Sequence, residues 1–258
     1  MSVPVYRRDF KILASDVDMY RRLRLSRLFT ILEQAAVAHT ESLGFGRDKT
    51  LDRGYLWVVM VQEAEIARLP VYDENVTVFS EPGKMVHMLF PRFCTVADES
   101  GNTLISARST WALMDASARS LADPEKAGVV INGTNDGSPL FAQPPLPAGG
   151  ETTKFRVPYS YTDINGHMNN ARYLDLAQDL MPRELLSRDV KRIAVSYASE
   201  AKYGLLMDIK TRSDNESFIM CGSPAADEAD GETATAPNAA PHSRANKPIF
   251  RLKIDYNE

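Results

Sequence analysis

Residues 161–173 (YTDINGHMNNARY) bring a carboxylate, amide side chains and an imidazole into one short stretch of chain. Asp163, Asn165 and His167 alternate along it, and Gly166 permits an abrupt change of direction. Carboxylates and imidazoles are side chains that enzymes use to move protons. The spacing therefore predicts a reaction site, although Asn-Gly and Asp-x-Asn also occur in loops that only turn the chain.

The elements around this stretch place it between a strand and a helix. Alternating apolar residues over 153–161 predict the strand, and 170–186 reads as the helix, capped by Asn169 or Asn170 and carrying Tyr173 near its beginning. The beginning of a helix offers backbone N–H donors and the positive end of the helix dipole. Such a position stabilises an oxygen that becomes negative during a reaction.

Composition and charge narrow the class of protein. The chain has 258 residues, 44% of them hydrophobic and 25% charged, which is typical of a soluble globular protein of one or two domains. A formal net charge of −4 does not indicate a nucleic-acid binder. Residues 1–10 contain no apolar run, and no stretch is long enough to cross a bilayer. We therefore expect neither a secretory signal nor stable membrane insertion.

The two cysteines also limit the function. Cys94 and Cys221 do not form a CxxC pair, so neither a disulfide framework nor a structural zinc site is predicted. Both are expected to be small core or strand residues. A reducing, cytoplasmic location is the natural expectation for such a chain.

The chain reads as two halves with one plan, each a strand and a helix followed by further strands. The predicted elements of the first half are strands at 6–14, 55–66, 76–80, 85–96 and 104–114 and a helix at 26–43. Those of the second half are strands at 153–161, 192–198, 206–211, 217–221 and 248–256 around the helix at 170–186. We expect an N-terminal domain at 1–130, a linker at 131–150 and a C-terminal domain at 151–258, each domain a sheet wrapped around its helix.

The predicted reaction site has a counterpart in the first half. Asp16-Val17-Asp18 is expected to enter the first helix as Asp163-Ile164-Asn165 enters the second. Where the second half continues with GHMNN, the first has MYRRL, without imidazole or asparagine. The first half is therefore expected to be catalytically silent, and two unrelated domains remain the alternative.

Residues 224–246 differ in composition from the rest of the chain. They are rich in Ala, Asp, Glu, Gly, Thr, Asn and Pro and contain almost no large apolar side chain. Such a segment cannot bury enough surface to offset its loss of conformational entropy. The composition predicts a disordered loop between the last two strands, either a tolerated insertion or an interaction segment.

The motif Asp-x-Asn-x-His-x-Asn-Asn-x-x-Tyr, opening a helix at 163–173, resembles that of the hotdog-fold thioesterases. Its occurrence in the second of two tandem halves resembles the acyl-ACP thioesterases, and the segments 32–39, 42–44 and 57–60 support this in the first half. The resemblance implies an α+β fold of the tandem, or double, hotdog type. In that fold two antiparallel sheets each wrap around a long central helix.

The resemblance also implies the catalytic set Asp163, Asn165, His167 and Glu200. The match at Glu200 is looser, and a solvated carboxylate at the end of a strand is its alternative reading. Ala201 stands where the family has a cysteine, which excludes a thiol nucleophile at that position. Neither a metal ion nor a cofactor is implied, because a thiol leaves as thiolate without a strong general acid.

The roles expected of these side chains follow from thioester hydrolysis. Asp163 would attack the thioester carbon or activate the attacking water, and Glu200 would position or deprotonate water. Asn165 would orient a carboxylate or the substrate, and His167 would hydrogen-bond the substrate or the catalytic water. Backbone N–H groups around His167 and Met168 are the expected oxyanion donors.

The implied partner is acyl carrier protein with a phosphopantetheine-linked fatty acyl chain, whose hydrolysis would release free fatty acid and end fatty acid synthesis. No nucleic-acid partner is expected, and a homodimer is left open. The expected docking sites are two basic clusters, Arg21, Arg22, Arg24 and Arg27, and Arg183, Arg188, Lys191 and Arg192. The expected acyl slot in the first half is lined by Leu28, Ile31, Leu32, Val59 and Met60.

Three alternatives stay open at this point. An acyl-CoA thioesterase of the same fold would use the same turn but recognise the nucleotide end of CoA. A non-catalytic acyl-binding protein would keep the motif only as a helix entry. Hydratase or dehydratase chemistry fits this turn less well.

Overall fold

The computed structural model describes residues 4–131, 133, 135, 142–226 and 247–257. The chain divides into two compact units. The first comprises Met1–Ala142 with Asp189–Arg192, and the second comprises Gln143–Arg188 with Ile193–Glu258. No helix in the described part of the chain is both long enough and apolar enough to span a membrane.

The first unit is built from one antiparallel sheet and one long helix. Its elements are β1 (Tyr6–Lys11), α1 (Leu25–Ser42), β2 (Tyr55–Ile66), β3 (Asn75–Pro82), β4 (Leu89–Asp98), β5 (Thr103–Asp115), β6 (Ser120–Leu121) and α2 (Pro124–Ala127). The main strands lie in the order β1-β3-β4-β5-β2, and β6 pairs with β5. Helix α1 buries an apolar stripe that includes Leu28, Ile31 and Ala35, because these positions recur every three or four residues.

The second unit repeats this plan with a shorter helix. Its elements are β7 (Glu151–Arg156), α3 (Arg172–Leu180), α4 (Arg183–Leu186), β8 (Val190–Tyr197), β9 (Leu206–Ser213), β10 (Ser217–Pro224) and β11 (Phe250–Tyr256). The strands lie in the order β8-β11-β10-β9-β7. Tyr173 of α3 packs its ring 4.5 Å from that of Phe250 and 5.4 Å from that of Tyr197, measured between centroids. The α+β class with one sheet around a helix in each half is confirmed.

Two predicted elements of the second unit were wrong in extent, and proline explains both. The strand predicted at 153–161 ends at Arg156, and Pro158 leads into a 3-10 turn at Tyr159–Tyr161. The helix predicted at 170–186 is split into α3 and α4, because the residue before Pro182 is held in an extended conformation.

The strand predicted at 85–96 begins only at Leu89. Val86 and Leu89 exchange backbone hydrogen bonds across a tight turn, in which His87 has a φ of 54°. Most of the insertion predicted at 224–246 lies outside the described residues, which stop at 226 and resume at 247. Pro224 itself is the last residue of β10.

A buried polar cluster joins α1 to the sheet of the first unit. Nη1 of Arg92 lies 2.9 Å from Nδ1 of His39 and donates to Oγ of Ser80, while Nη2 donates to Oγ1 of Thr40 at 2.8 Å. A guanidinium group only donates, so Nδ1 of His39 accepts and the imidazole is neutral. Burial, and then the charge of Arg92, lower the pKa of His39 to about 4.

Acid is expected to destabilise the protein through His39. An unfolded histidine has a pKa of about 6.5, whereas that of native His39 is about 4. Between these two pH values the unfolded state therefore binds more protons than the native state. The free energy of unfolding should therefore fall by about 2 to 3 kcal/mol as the pH drops through this window, and the full stability is present above it. Urea unfolding at several pH values between 7 and 4 measures the fall.

The matched control for this prediction is His39→Gln. The glutamine amide oxygen can still accept from Arg92 but cannot take a proton in this range. The variant should lose this part of the pH dependence. If the free energy of unfolding of the variant falls with pH as steeply as that of the unaltered protein, the acid sensitivity belongs to other groups.

Candidate active site

The residues 161–168 form a closed turn in the second unit. The N–H of Asp163 donates to the carbonyl of His167 at 2.9 Å, and the N–H of Gly166 donates to the carbonyl of Asp163 at 3.0 Å. Gly166 has a φ of 74°, a conformation that favours glycine. Ile164 and Asn165 consequently stand at the exposed tip of the turn.

The Asp163 carboxylate is half-buried and takes part in the turn. Its Oδ1 accepts from the N–H of Asn165 at 2.8 Å, which is an Asx-type turn. Within the described part of the chain, Oδ2 accepts no hydrogen bond and can face a substrate. The pKa of the buried Tyr173 phenol is raised, mainly by burial and further by the negative charge of Asp163.

His167 and Glu200 are brought together although they lie far apart in sequence. Nε2 of His167 lies 3.0 Å from Oε2 of Glu200, and their side chains are 16% and 31% exposed. Two backbone bonds hold the two segments side by side, from Met168 N–H to the Ala201 carbonyl (2.7 Å) and from Tyr203 N–H to the Gly166 carbonyl (3.1 Å). Glu200 thus contacts the imidazole and is not an isolated strand-end carboxylate.

This pairing can perform proton transfer. A carboxylate that bonds one ring nitrogen orients the imidazole and stabilises its protonated form. Both side chains remain accessible to solvent, so a substrate can reach them. Among the described residues, no group of three or more His, Cys, Asp or Glu side chains could hold a metal ion.

The backbone around the turn only partly matches the predicted roles. The N–H of Met168 donates to the Ala201 carbonyl, so the prediction of Met168 as an oxyanion donor was wrong. The predicted cap by Asn169 or Asn170 was wrong, because Ala171 is the N-cap of α3 and no side chain caps it; Oδ1 of Asn169 accepts from the N–H of Ala171 at 3.0 Å, just before the helix. The side chain of Asn165 is exposed and carries N–H donors of its own.

The first unit contains the same turn in a different register from the one predicted. There the N–H of Asp18 donates to the carbonyl of Arg22 (2.8 Å), that of Arg21 to Asp18 (3.0 Å), and that of Tyr20 to the Asp18 carboxylate (2.9 Å). These bonds make Asp18 the counterpart of Asp163. The predicted equivalence of 16–18 with 163–165 was wrong by two residues, because similar Asp-x-polar triplets occur at non-equivalent positions.

The corrected register shows what replaces the imidazole in the first unit. Arg22 is the counterpart of His167, and its Nη2 lies 3.2 Å from Oδ2 of Asp18. A guanidinium group stays protonated and cannot act as a base. The two turns therefore share a backbone and an aspartate, while the imidazole–carboxylate pair belongs to the second.

The comparisons with known proteins agree with this duplicated arrangement. Models of the acyl-ACP thioesterase N-terminal and C-terminal domains match residues 4–126 and 147–237, respectively. The chain belongs to the acyl-ACP thioesterase family. A chloroplastic acyl-[acyl-carrier-protein] hydrolase from Cuphea viscosissima is 24% identical over 229 residues, covering 81% of this chain and 55% of that protein. This acyl-ACP thioesterase family member thus spans about half the length of the curated relatives it matches.

Solved structures show the same fold across almost the whole chain. An acyl-ACP thioesterase from Bacteroides thetaiotaomicron superposes with a TM-score of 0.81 at 21% identity, with 98% of each chain covered. The 12:0-ACP thioesterase from Umbellularia californica gives 0.78 at 18% identity, covering 98% of this chain and 97% of its own. These likenesses confirm the double-hotdog fold of the acyl-ACP thioesterase family.

In this acyl-ACP thioesterase family member, three arginines of the first predicted docking cluster form bonds within the protein. Arg22 is paired with Asp18 of its own turn at 3.2 Å, and Arg27 of α1 is paired with Asp16 at 2.9 Å. Nε of Arg24 donates to a backbone carbonyl, although the residue is exposed. Arg21 is exposed and lies at the tip of the turn.

Two of the four residues of the second predicted docking cluster also form bonds within the protein. Arg188 donates to the backbone carbonyls of Asn215 and Asn257. Arg192 is paired with buried Glu63 at 2.7 Å. Arg183 and Lys191 are exposed.

A small pocket lies within the first unit, against α1 and the sheet. It is lined by Phe29, Leu32, Gln62, Glu63, Cys94, Ala107, Arg108, Ser109 and Trp111. Of the five residues predicted to line an acyl slot, Leu32 lines this pocket, whereas Leu28, Ile31 and Val59 are buried core residues. The periodicity of apolar residues identified the buried face of α1, but it could not show which strand residues line a pocket against that face.

Proposed function

We propose that this protein hydrolyses the thioester of fatty acyl-ACP in the cytoplasm, releasing free fatty acid and the carrier thiol and so ending fatty acid synthesis. The observation that carries the proposal is the 3.0 Å contact between His167 and Glu200 beside the Asp163 turn. Membership of the acyl-ACP thioesterase family supports the choice of substrate. The catalytic residues are Asp163, Asn165, His167 and Glu200.

The reaction is a displacement at the thioester carbon. His167, oriented by Glu200, takes a proton from water as the water oxygen bonds to that carbon. The exposed amide of Asn165 donates to the carbonyl oxygen as it becomes negative. The C–S bond then breaks, and the thiol leaves as thiolate because its pKa, about 8 to 9, is close to that of cysteine.

Asp163 has two roles open to it. Its ionised carboxylate either assists in activating water or attacks the thioester carbon to form a mixed anhydride that a second water opens. Both routes need Oδ2 to face the substrate while Oδ1 holds the Asn165 N–H. Both end in the same fatty acid and thiol.

The acyl chain is proposed to enter the first unit at this small pocket, whose walls must move apart to admit it. Phe29, Leu32 and Ala107 supply apolar wall, and Trp111 donates its Nε1–H to Oγ of Ser109 at 2.8 Å. An indole whose polar atom is already bonded presents its apolar face to a neighbouring chain. Burial of methylene groups contributes about 0.8 kcal/mol each, which would offset the cost of widening the pocket.

A thiol-release assay over matched acyl-ACP and acyl-CoA substrates tests the proposed function. We expect kcat/KM to be at least about tenfold higher for acyl-ACP than for the same acyl group on CoA, equivalent to about 1.4 kcal/mol of carrier recognition. Preference for CoA would favour the acyl-CoA thioesterase alternative. Binding of acyl-ACP without thiol release would favour a non-catalytic acyl-binding protein. Sedimentation of the same samples tests whether the protein forms a homodimer, which the sequence leaves open.

A further inference from the structure

Large apolar side chains surround the candidate active site on the outside of the second unit. Ile164 is 90% exposed, Tyr159 80% and Tyr203 63%. Single exposed apolar residues are ordinary on protein surfaces, but contiguous ones next to a reaction site indicate an interaction surface. We call these three residues the apolar rim.

Two of the three side chains touch, and a backbone hydrogen bond ties them to the turn that carries Ile164. The rings of Tyr159 and Tyr203 meet edge to face, with centroids 6.1 Å apart. The N–H of Tyr203 bonds the carbonyl of Gly166, two residues after Ile164 at the tip of the turn. The apolar rim is therefore held by the same hydrogen bonds that place the catalytic residues.

The apolar rim is adjacent to the reacting groups and to basic side chains. Lys202 forms a bridge pair with His167 and follows Glu200 by two residues, and its own side chain is exposed. Arg156 is also exposed, and its guanidinium is fixed by the carbonyl of Gly204 at 2.6 Å. An apolar patch edged by two cations complements a partner that is acidic and partly apolar.

We infer that the apolar rim, with Lys202 and Arg156, is the surface on which the acidic carrier protein docks. The inference rests on the proposed function, since it concerns how that substrate reaches the site. It is distinct from the two arginine clusters, and the choice of this surface rests on its position beside His167 and Glu200. Docking at the apolar rim would deliver the thioester to His167 and Glu200 at the end of a short flexible arm.

The test is the double variant Ile164→Ser/Tyr203→Ser. Removing two exposed apolar contacts should raise KM for acyl-ACP about tenfold, as for the loss of one strong interface residue. The value of kcat/KM for a carrier-free acyl-pantetheine should stay within about twofold, because neither side chain takes part in the reaction. Lys202→Glu should also raise KM for acyl-ACP, and this increase should become smaller as the salt concentration is raised.

The internal repeat supplies a matched control. Met19 and Tyr72 occupy the corresponding positions in the first unit and are 77% and 52% exposed, but their turn carries Arg22 in place of the imidazole. Met19→Ser/Tyr72→Ser removes similar apolar surface and should leave KM for acyl-ACP unchanged.

The possible results separate the two proposals. If the unaltered protein releases no thiol from acyl-ACP, the proposed function fails. If it does, and the apolar rim variant keeps its KM or loses activity equally on acyl-pantetheine, the docking inference fails alone. Conversion of a dimer to a monomer by the apolar rim variant would also overturn it, since the surface would then bind a second copy of this chain.

Discussion

His167→Ala is expected to lower kcat on acyl-ACP by about 100-fold or more, the usual loss when a positioned acid–base group is removed. The imidazole is held by Glu200 and by the backbone pairing of its turn, so its position does not depend on substrate. Thiol release under saturating substrate measures the effect. KM should change much less than kcat, because the side chain acts on the reacting water.

Two further variants separate proton transfer from turn geometry. His167→Gln can still bond Glu200 but cannot take a proton at neutral pH, so its loss should equal that of His167→Ala. Glu200→Gln keeps the imidazole but removes its orienting charge, and a smaller loss of roughly tenfold is expected. Full turnover by His167→Gln would show that the imidazole is only a structural partner of Glu200.

The second large effect is expected at Asp163. Asparagine retains the carbonyl oxygen that accepts from the Asn165 N–H, so Asp163→Asn should keep the turn closed while removing the charge. We expect a loss of about 100-fold or more in kcat, since both routes open to this residue need an ionised carboxylate. An unchanged free energy of unfolding would show that the loss is chemical rather than structural.

Rapid quenching of the first turnover distinguishes the two routes for Asp163. A nucleophilic carboxylate can release thiol before fatty acid, with an initial burst of one thiol per site when the anhydride opens slowly. Activation of water releases both products together. Fatty acid appearing ahead of thiol would contradict both routes.

The sequence predicted best those features that depend on local pattern. Strand β2 was predicted at its observed bounds, 55–66, because a long run of β-branched and aromatic residues ends at a turn. Helix α1 was displaced by one residue at each end, because its apolar period is strong and its caps are weak. Pro182 was a visible signal that α3 could not continue, and the predicted helix ran past it.

The features that sequence reasoning missed depend on pairing between distant segments. The resemblance placed Glu200 in one catalytic set with His167, but spacing along the chain could not show their contact, which exists because the segment after β8 runs beside the Asp163 turn. The register of the internal repeat was missed for the same reason. Asp18 and Asp163 are equivalent through their hydrogen bonds, whereas matching residue types favoured a shift of two positions.

The exposed rim was also absent from the sequence-based prediction. Ile164, Tyr159 and Tyr203 would be read as core residues from their types alone, and only their positions at the turn make them surface residues. The clusters of arginine, by contrast, were easy to see in the sequence. Their pairing with Asp16, Asp18 and Glu63 became visible only in the folded chain.

The most direct test compares thiol release from acyl-ACP by the matched variants Asp163→Asn and Asp18→Asn. Both should preserve the same closed turn and remove the same charge, one in the turn that carries His167 and the other in the turn that carries Arg22. The account predicts that Asp163→Asn loses about 100-fold or more of the rate, while Asp18→Asn stays close to the unaltered protein. Equal losses, or a greater loss in Asp18→Asn, would contradict the assignment of the chemistry to the second unit.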